Sequence, residues 1–205
     1  MDSIIFDLDG TLWDSTGSVI DSWNNTLAKY SEVTNRLTVE DMRGVMGLVI
    51  GDIAKIFFHY LEEARRLEII NDCCINECEH LEKHGATLYD KLEEVLEALS
   101  NKYKLFIVSN CQCGYVESFF KAHGLDKYFI DYECSGKTGL PKGENIKLIM
   151  ERNNLASPIY VGDTEGDLRA SRFAGIPFIY ARYGFGNVTE YDYVIDNFQD
   201  LLRVL

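Results

Sequence analysis

The stretch IIFDLDGTLWDS, residues 4–15, sets three apolar residues ahead of two acids one residue apart, followed by Gly10 and Thr11. A run of Ile, Ile and Phe bounded by a glycine turn reads as a short strand buried on both faces. Residues two apart in an extended segment point the same way, so the carboxylates of Asp7 and Asp9 are expected to address one small volume. Two carboxylates so close repel, and one stays protonated unless a cation joins them.

Three further segments share that strand character: KLFIVS (104–109), PIYVGD (158–163) and PFIYAR (177–182), with weaker candidates at YFIDYE (128–133) and YDYVI (191–195). Helix-like runs separate them, at 89–102, 114–124, 143–154 and 165–175, and glycines at 124 and 175 mark two of the helix ends. Strands alternating with helices predict an α/β fold: a doubly wound, Rossmann-like parallel sheet covered on both sides.

Residues 14 to about 87 break this rhythm with helical periodicity and little strand character, with candidate helices at 18–30, 38–46, 53–67 and 71–85. Thr38, three residues before Asp41, resembles a helix-start signal. The simplest division is a core of residues 1–14 and 88–205 with an all-helical cap inserted at 15–87, hinged near 13–17 and 85–89.

Composition narrows the partners. The 205 residues carry 33 acids against 20 bases, a formal charge of -13, and that field opposes a nucleic acid backbone or an anionic membrane. No apolar run approaches the roughly 18 residues that span a bilayer, and no secretory leader is evident, so a soluble cytoplasmic protein is expected. The six cysteines form no repeated ligand knuckle; CINECEHLEKH, which holds Cys78, His80 and His84, reads as an amphipathic helix with thiols packed as small apolar groups.

In open parallel sheets the ligand crevice lies beyond the carboxyl ends of the strands, where strand order reverses. Asp7 and Asp9, Ser109 and Asn110, and Asp163 stand at three such ends. Asp7, Asp9 and Asp163 offer the oxygen ligands that Mg2+ prefers, with Asp167 as an outer ligand, a holder of metal-bound water, or simply a helix cap.

DLDGT (7–11), VSN (108–110), the lysine of LPKGE (140–144) and GDTEGD (162–167) resemble, in order and approximate spacing, the four motifs of haloacid dehalogenase-like phosphatases. The resemblance spans nearly the whole chain, helical cap included, and RYGFG (182–186) makes the phosphoglycolate phosphatase-like branch the nearest in pattern. It implies a Mg2+-dependent phosphatase of small phosphorylated metabolites. Asp7 would be the nucleophile that becomes an aspartyl-phosphate, and Asp9 the acid and then base, its backbone carbonyl reaching the metal. Gly10, Ser109, Asn110 and Lys142 would hold the phosphoryl group. One departure from the family pattern is that Pro141 precedes the lysine and Gly143 follows it; Lys137 is a nearby competitor.

The cap is expected to choose the leaving group, with Arg43 and Lys55 as basic candidates and Trp13 and Phe185 at the entrance. Cys111 and Cys113, just after Asn110, raise the expectation of oxidative inhibition. A sugar-phosphate mutase and a non-catalytic regulatory binding module remain alternatives on the same scaffold. Dehalogenases and phosphonate-cleaving members generally lack the acid at the position of Asp9, which disfavours both. Oligomeric state is not legible.

Overall fold

A computed structural model describes residues 1–205. Its main sheet has six parallel strands: β1 (Ser3–Phe6), β4 (Lys104–Ser109), β5 (Asp131–Cys134), β6 (Pro158–Gly162), β7 (Phe178–Ala181) and β8 (Tyr193–Ile195). They lie in the order β5-β4-β1-β6-β7-β8. The chain builds outward from β1 through β4 to β5, then returns to β6 on the other flank. The order therefore reverses around β1, and its carboxyl end is the switch point at which such folds bind ligands.

Alternation along each strand divides the core. Ile4 and Phe6 of β1, with Leu105, Ile107, Ile159 and Val161, join the apolar cluster on one face, whereas Ile5, Phe106, Val108 and Tyr160 join the other. The second face is covered by α8 (Lys142–Arg152) and α9 (Glu165–Ala174) through Ile146, Ile149 and Leu168. The first is covered by α5 (Leu92–Ser100), α6 (Tyr115–His123) and the terminal α10 (Leu201–Val204) through Leu96, Phe119 and Leu201. Helices α6 and α9 end at Gly124 and Gly175 in the left-handed conformation, as their sequences predict. A four-residue helix, α7 (Ser135–Thr138), follows β5.

Four helices stand between β1 and α5: α1 (Thr16–Leu27), α2 (Val39–Arg43), α3 (Ile50–Phe57) and α4 (Glu63–His84). The chain leaves and rejoins the sheet region through β2 (Trp13–Asp14) and β3 (Thr87–Leu88), paired antiparallel, so the two passages are tied together. Thr38 caps α2 in a reciprocal capping box with Asp41.

The helices expected at 53–67 and 71–85 have other bounds. The break falls at residues 58–62, and α4 then runs unbroken for 22 residues through Asn71 and Asp72. Its buried positions, Ile69, Ile70, Cys73, Cys74, Glu77 and Leu81, keep helical spacing across those two residues, and a continuous apolar stripe outweighs a local start signal. Cys73, Cys74, Cys111 and Cys134 pack as buried small groups. No helix is long and apolar enough to cross a membrane.

Candidate active site

Asp7 leaves the end of β1, its amide still bonded to the Val161 carbonyl at 2.8 Å, and the residue is 2 % exposed. Lys142, the first residue of α8, reaches over the strand ends and sets its ammonium 3.0 Å from Asp7 Oδ1 and 2.6 Å from Asp167 Oδ1. Burial alone would lower the Lys142 pKa, but the charges of Asp167 and Asp7 outweigh it and raise it. Lys137, by contrast, is exposed and pairs with Glu133 at 3.5 Å, so Lys142 is the lysine in the crevice.

Asp163 follows β6 and is fully buried. Its Oδ2 accepts the Phe185 amide at 2.7 Å, while its Oδ1 has no hydrogen-bond partner. A buried carboxylate oxygen without a donor is costly, and a cation beside it removes that cost. Carboxylate oxygens of Asp7, Asp163 and Asp167 lie within 4.8 Å of one another. Burial, followed by the charge of Asp167, pushes Asp7 up to about 7, against the pull of Lys142. Burial, then Asp167 and Asp7, raises Asp163 as well. Hard oxygen donors, one of them orphaned and all crowded by like charge, fit Mg2+.

Asp167 is fully committed to the protein. Its Oδ1 takes the Lys142 ion pair, and its Oδ2 accepts from the Thr164 amide at 2.9 Å, the Thr164 hydroxyl at 2.7 Å and the Asp163 amide at 3.2 Å. It thus closes the capping box that Thr164 opens at the start of α9, and it anchors Lys142. Asp7 and Asp163 are left as the carboxylates with spare oxygen capacity.

Asp9 departs from the strand-period expectation. β1 ends at Phe6 and the chain turns, so the Asp9 side chain does not join the acidic cluster. Instead Asp9 Oδ1 accepts from Trp13 Nε1 at 2.9 Å, the Ser15 hydroxyl at 2.6 Å and the Tyr115 hydroxyl at 2.8 Å. Its Oδ2 receives no protein donor. Burial raises its pKa in spite of the three donors, which pull it down. The turn is made by Gly10, whose φ of +76° and whose missing Cβ, which would lie 2.3 Å from Asp163 Oδ2, admit no other side chain without displacement.

Ser109, at the end of β4, is buried, and its Oγ accepts the Cys111 amide at 3.4 Å. Asn110 donates from Nδ2 to the Gly47 carbonyl at 2.8 Å and accepts the Ser135 hydroxyl at 3.0 Å, so its side chain links the inserted helices to the strand ends. Asp7, Asp9, Ser109 and Asn110 together line a cavity of about 50 Å³ beneath the inserted helices.

The two basic cap candidates are not there. Arg43 points to the surface toward Asp14 at 3.7 Å, and Lys55 pairs with Asp52 at 2.9 Å with its side chain 66 % exposed. Each sits on the polar face of its helix, whose apolar face turns inward: Met42 on α2, Ile53 and Ala54 on α3. Trp13 is buried and holds Asp9 rather than lining an entrance; Phe185 serves through its backbone. Cys111 is buried, which pushes its thiol well up and opposes thiolate chemistry, whereas Cys113 is exposed.

Several site residues escape a motif reading. Tyr115 and Ser15 orient Asp9. Gly184, in RYGFG, lets the backbone close on Asp163, since a Cβ there would sit 2.3 Å from Asp163 Cβ. Glu77, buried in α4, accepts from Trp23 Nε1 at 3.0 Å and Gln112 Nε2 at 2.7 Å and lines the same cavity. The one signal for Glu77 is an acid standing in the apolar stripe of its helix.

The chain is similar to known proteins along most of its length. Residues 4–181 match the family model described as haloacid dehalogenase-like hydrolase. Phosphoglycolate phosphatase of Photobacterium profundum is 26 % identical over 224 residues, covering 98 % of this chain and 94 % of the relative. Pyrophosphatase PpaX of Bacillus mycoides is 26 % identical over 220 residues, covering 100 % and 97 %. A haloacid dehalogenase-like family protein from Streptococcus pneumoniae superposes with a TM-score of 0.86 at 23 % identity, covering 100 % of this chain and 98 % of that one. The fold, the strand-end acids and a match over most of the sequence lead to one assignment: the chain belongs to the haloacid dehalogenase-like hydrolases.

Proposed function

We propose that the protein is a Mg2+-dependent phosphatase that hydrolyses a small phosphorylated metabolite through an aspartyl-phosphate at Asp7. The observation that carries this reading is the meeting, at the switch point of the sheet, of Asp7 with the Lys142 ammonium on one side and the unpartnered Asp163 Oδ1 on the other. The relatives named phosphoglycolate phosphatase and pyrophosphatase support phosphoryl chemistry.

Asp7 and Asp163, with the Asp9 carbonyl as in the family pattern, would hold Mg2+, which supplies neutralisation of phosphoryl charge when bound. Asp7 attacks phosphorus, and the bond to the leaving oxygen breaks. Asp9, whose half-buried carboxyl is raised above its ordinary value by desolvation, hands a proton from Oδ2 to that oxygen. A water then attacks the phosphorus of the aspartyl-phosphate while Asp9 takes back a proton, and Asp7 is released. Lys142 keeps Asp7 oriented and offsets charge on the phosphoryl oxygens, with Ser109 and the backbone at Asn110 as donors. Residues 15–87 act as a cap over the core of residues 1–14 and 88–205 and exclude bulk water.

Phosphate release from a panel of phosphomonoesters, with Mg2+ and after chelation, tests this reading. Asp7→Asn is expected to lower turnover at least about a thousandfold while leaving the fold intact. Wild-type protein quenched during turnover is expected to gain the mass of one phosphoryl group at Asp7. Equal activity in wild type and Asp7→Asn, or turnover indifferent to chelation, would overturn it.

A further inference from the structure

The cavity over Asp7 has a second wall, built by the inserted helices. Val19, Met42, Val45 and Ile53 supply its apolar part, and Glu77 its one ionisable group. Through Ile50 and residues 110–112 it shares its lining with an open groove of about 1300 Å³ between α3, α4 and the loops after β4 and β5. No lysine, arginine or histidine lines either space, whereas Glu68 and Glu79 stand along the groove. Lys142 is already shared between Asp7 and Asp167, and Arg43 and Lys55 face solvent.

Glu77 is 4 % exposed. Its Oε2 takes both of its donors, Trp23 and Gln112, and its Oε1 has none from the protein. The residue is therefore fixed in orientation, with acceptor capacity left over on the cavity wall that a leaving group would meet.

Resting on the phosphatase reading, we propose that Glu77 determines specificity: the site selects phosphomonoesters whose leaving alcohol is free of negative charge and presents a hydroxyl or ammonium donor to Glu77. A second anion in the substrate, such as the carboxylate of 2-phosphoglycolate, would lose its water in a space without a counter-cation. It would also lie near Glu68 and Glu79 of the groove and, above about pH 8, beside an ionised Glu77, where low polarity strengthens repulsion. A hydroxyl or ammonium in the same place meets an oriented acceptor, so the discrimination arises from an unpaired group in the wrong substrate.

Three esters of equal length test this at a pH above about 8, where Glu77 is ionised: 2-hydroxyethyl phosphate, 2-aminoethyl phosphate and 2-phosphoglycolate. The first two are expected to exceed 2-phosphoglycolate in kcat/KM by about tenfold or more, an order that a charge pair in a partly desolvated site produces. Glu77→Gln is expected to cut the advantage of the amino ester to about threefold or less, since the amide cannot pair with the ammonium. Calorimetric titration of the same esters into Asp7→Asn reads the preference without turnover. If no ester is hydrolysed, the phosphatase reading fails, and the binding ratio still decides the preference. Parity or a preference for 2-phosphoglycolate in binding, an unchanged ratio in Glu77→Gln, or no binding of any ester would overturn the assignment.

Discussion

Lys142 shows why single side chains in this crevice carry more than one duty. Its ammonium is the counter-charge for two buried acids, Asp7 and Asp167, and the 2.6 Å contact with Asp167 aims it at Asp7. Replacing it by methionine keeps the volume but leaves both carboxylates without a cation. Breaking a buried ion cluster from one side is expected to cost about 3–5 kcal/mol, measured by urea unfolding in the presence of a chelator. Loss of hydrolysis with no loss of stability would show that Lys142 is not the partner of both acids. At this scale the meeting of Asp7, Lys142 and Asp163 at the strand ends was legible from motif order. The direction of Asp9 was not, because the period-two argument needs an extended chain and the strand ends at Phe6, before Gly10 turns it. The donors Trp13, Ser15 and Tyr115 come from three elements, and no local pattern announces that they converge.

Among the elements, the amino end of α9 joins structure to site. Thr164 caps the helix by accepting the Asp167 amide at 3.2 Å, and its hydroxyl donates back to Asp167 Oδ2. The residue that completes the cap is therefore the one that anchors Lys142. Thr164→Ala is expected to cost about 1 kcal/mol in thermal or urea unfolding, the usual worth of a cap. It is also expected to weaken Mg2+ binding, because Asp167, whose Oδ2 also holds the Asp163 amide, loses a brace; unchanged Mg2+ dependence would separate the cap from the site. The sheet and its covering helices were readable because apolar strands and amphipathic helices alternate without interruption. The inserted helices were less so. Residues 58–62 break the chain with neither proline nor glycine, while Asn71 and Asp72 mimic a helix start inside α4. There tertiary burial of Ile70, Cys74 and Leu81 decided against local propensity.

Across the whole molecule, the seam between the inserted helices and the strand ends is polar at a few fixed points. Asn110 bonds the Gly47 carbonyl, and Glu77 ties α4 to Trp23 of α1 and to Gln112 beyond β4. Burial pushes Glu77 up to about 8, with Asp9 adding repulsion and the Trp23 and Gln112 donors opposing. An unfolded glutamate titrates at its ordinary value of 4.5. Because the folded value is the higher one, the folded state holds the proton more tightly between the two. Stability associated with Glu77 is thus complete below pH 4.5, declines as pH rises, and is spent once pH passes about 8. Glu77→Gln keeps the shape and removes the titration, so the comparison isolates this one group even though Asp7, Asp9 and Asp163 shift in the same direction. Urea unfolding at a series of pH values in that window is expected to give wild type a steeper loss than the variant, by an amount on the order of a few kcal/mol across the window. Parallel curves would mean that Glu77 is already ionised in the folded protein at neutral pH. The seam would then hold a permanent charge, and the proton the fold retains would have to sit on the strand-end acids instead.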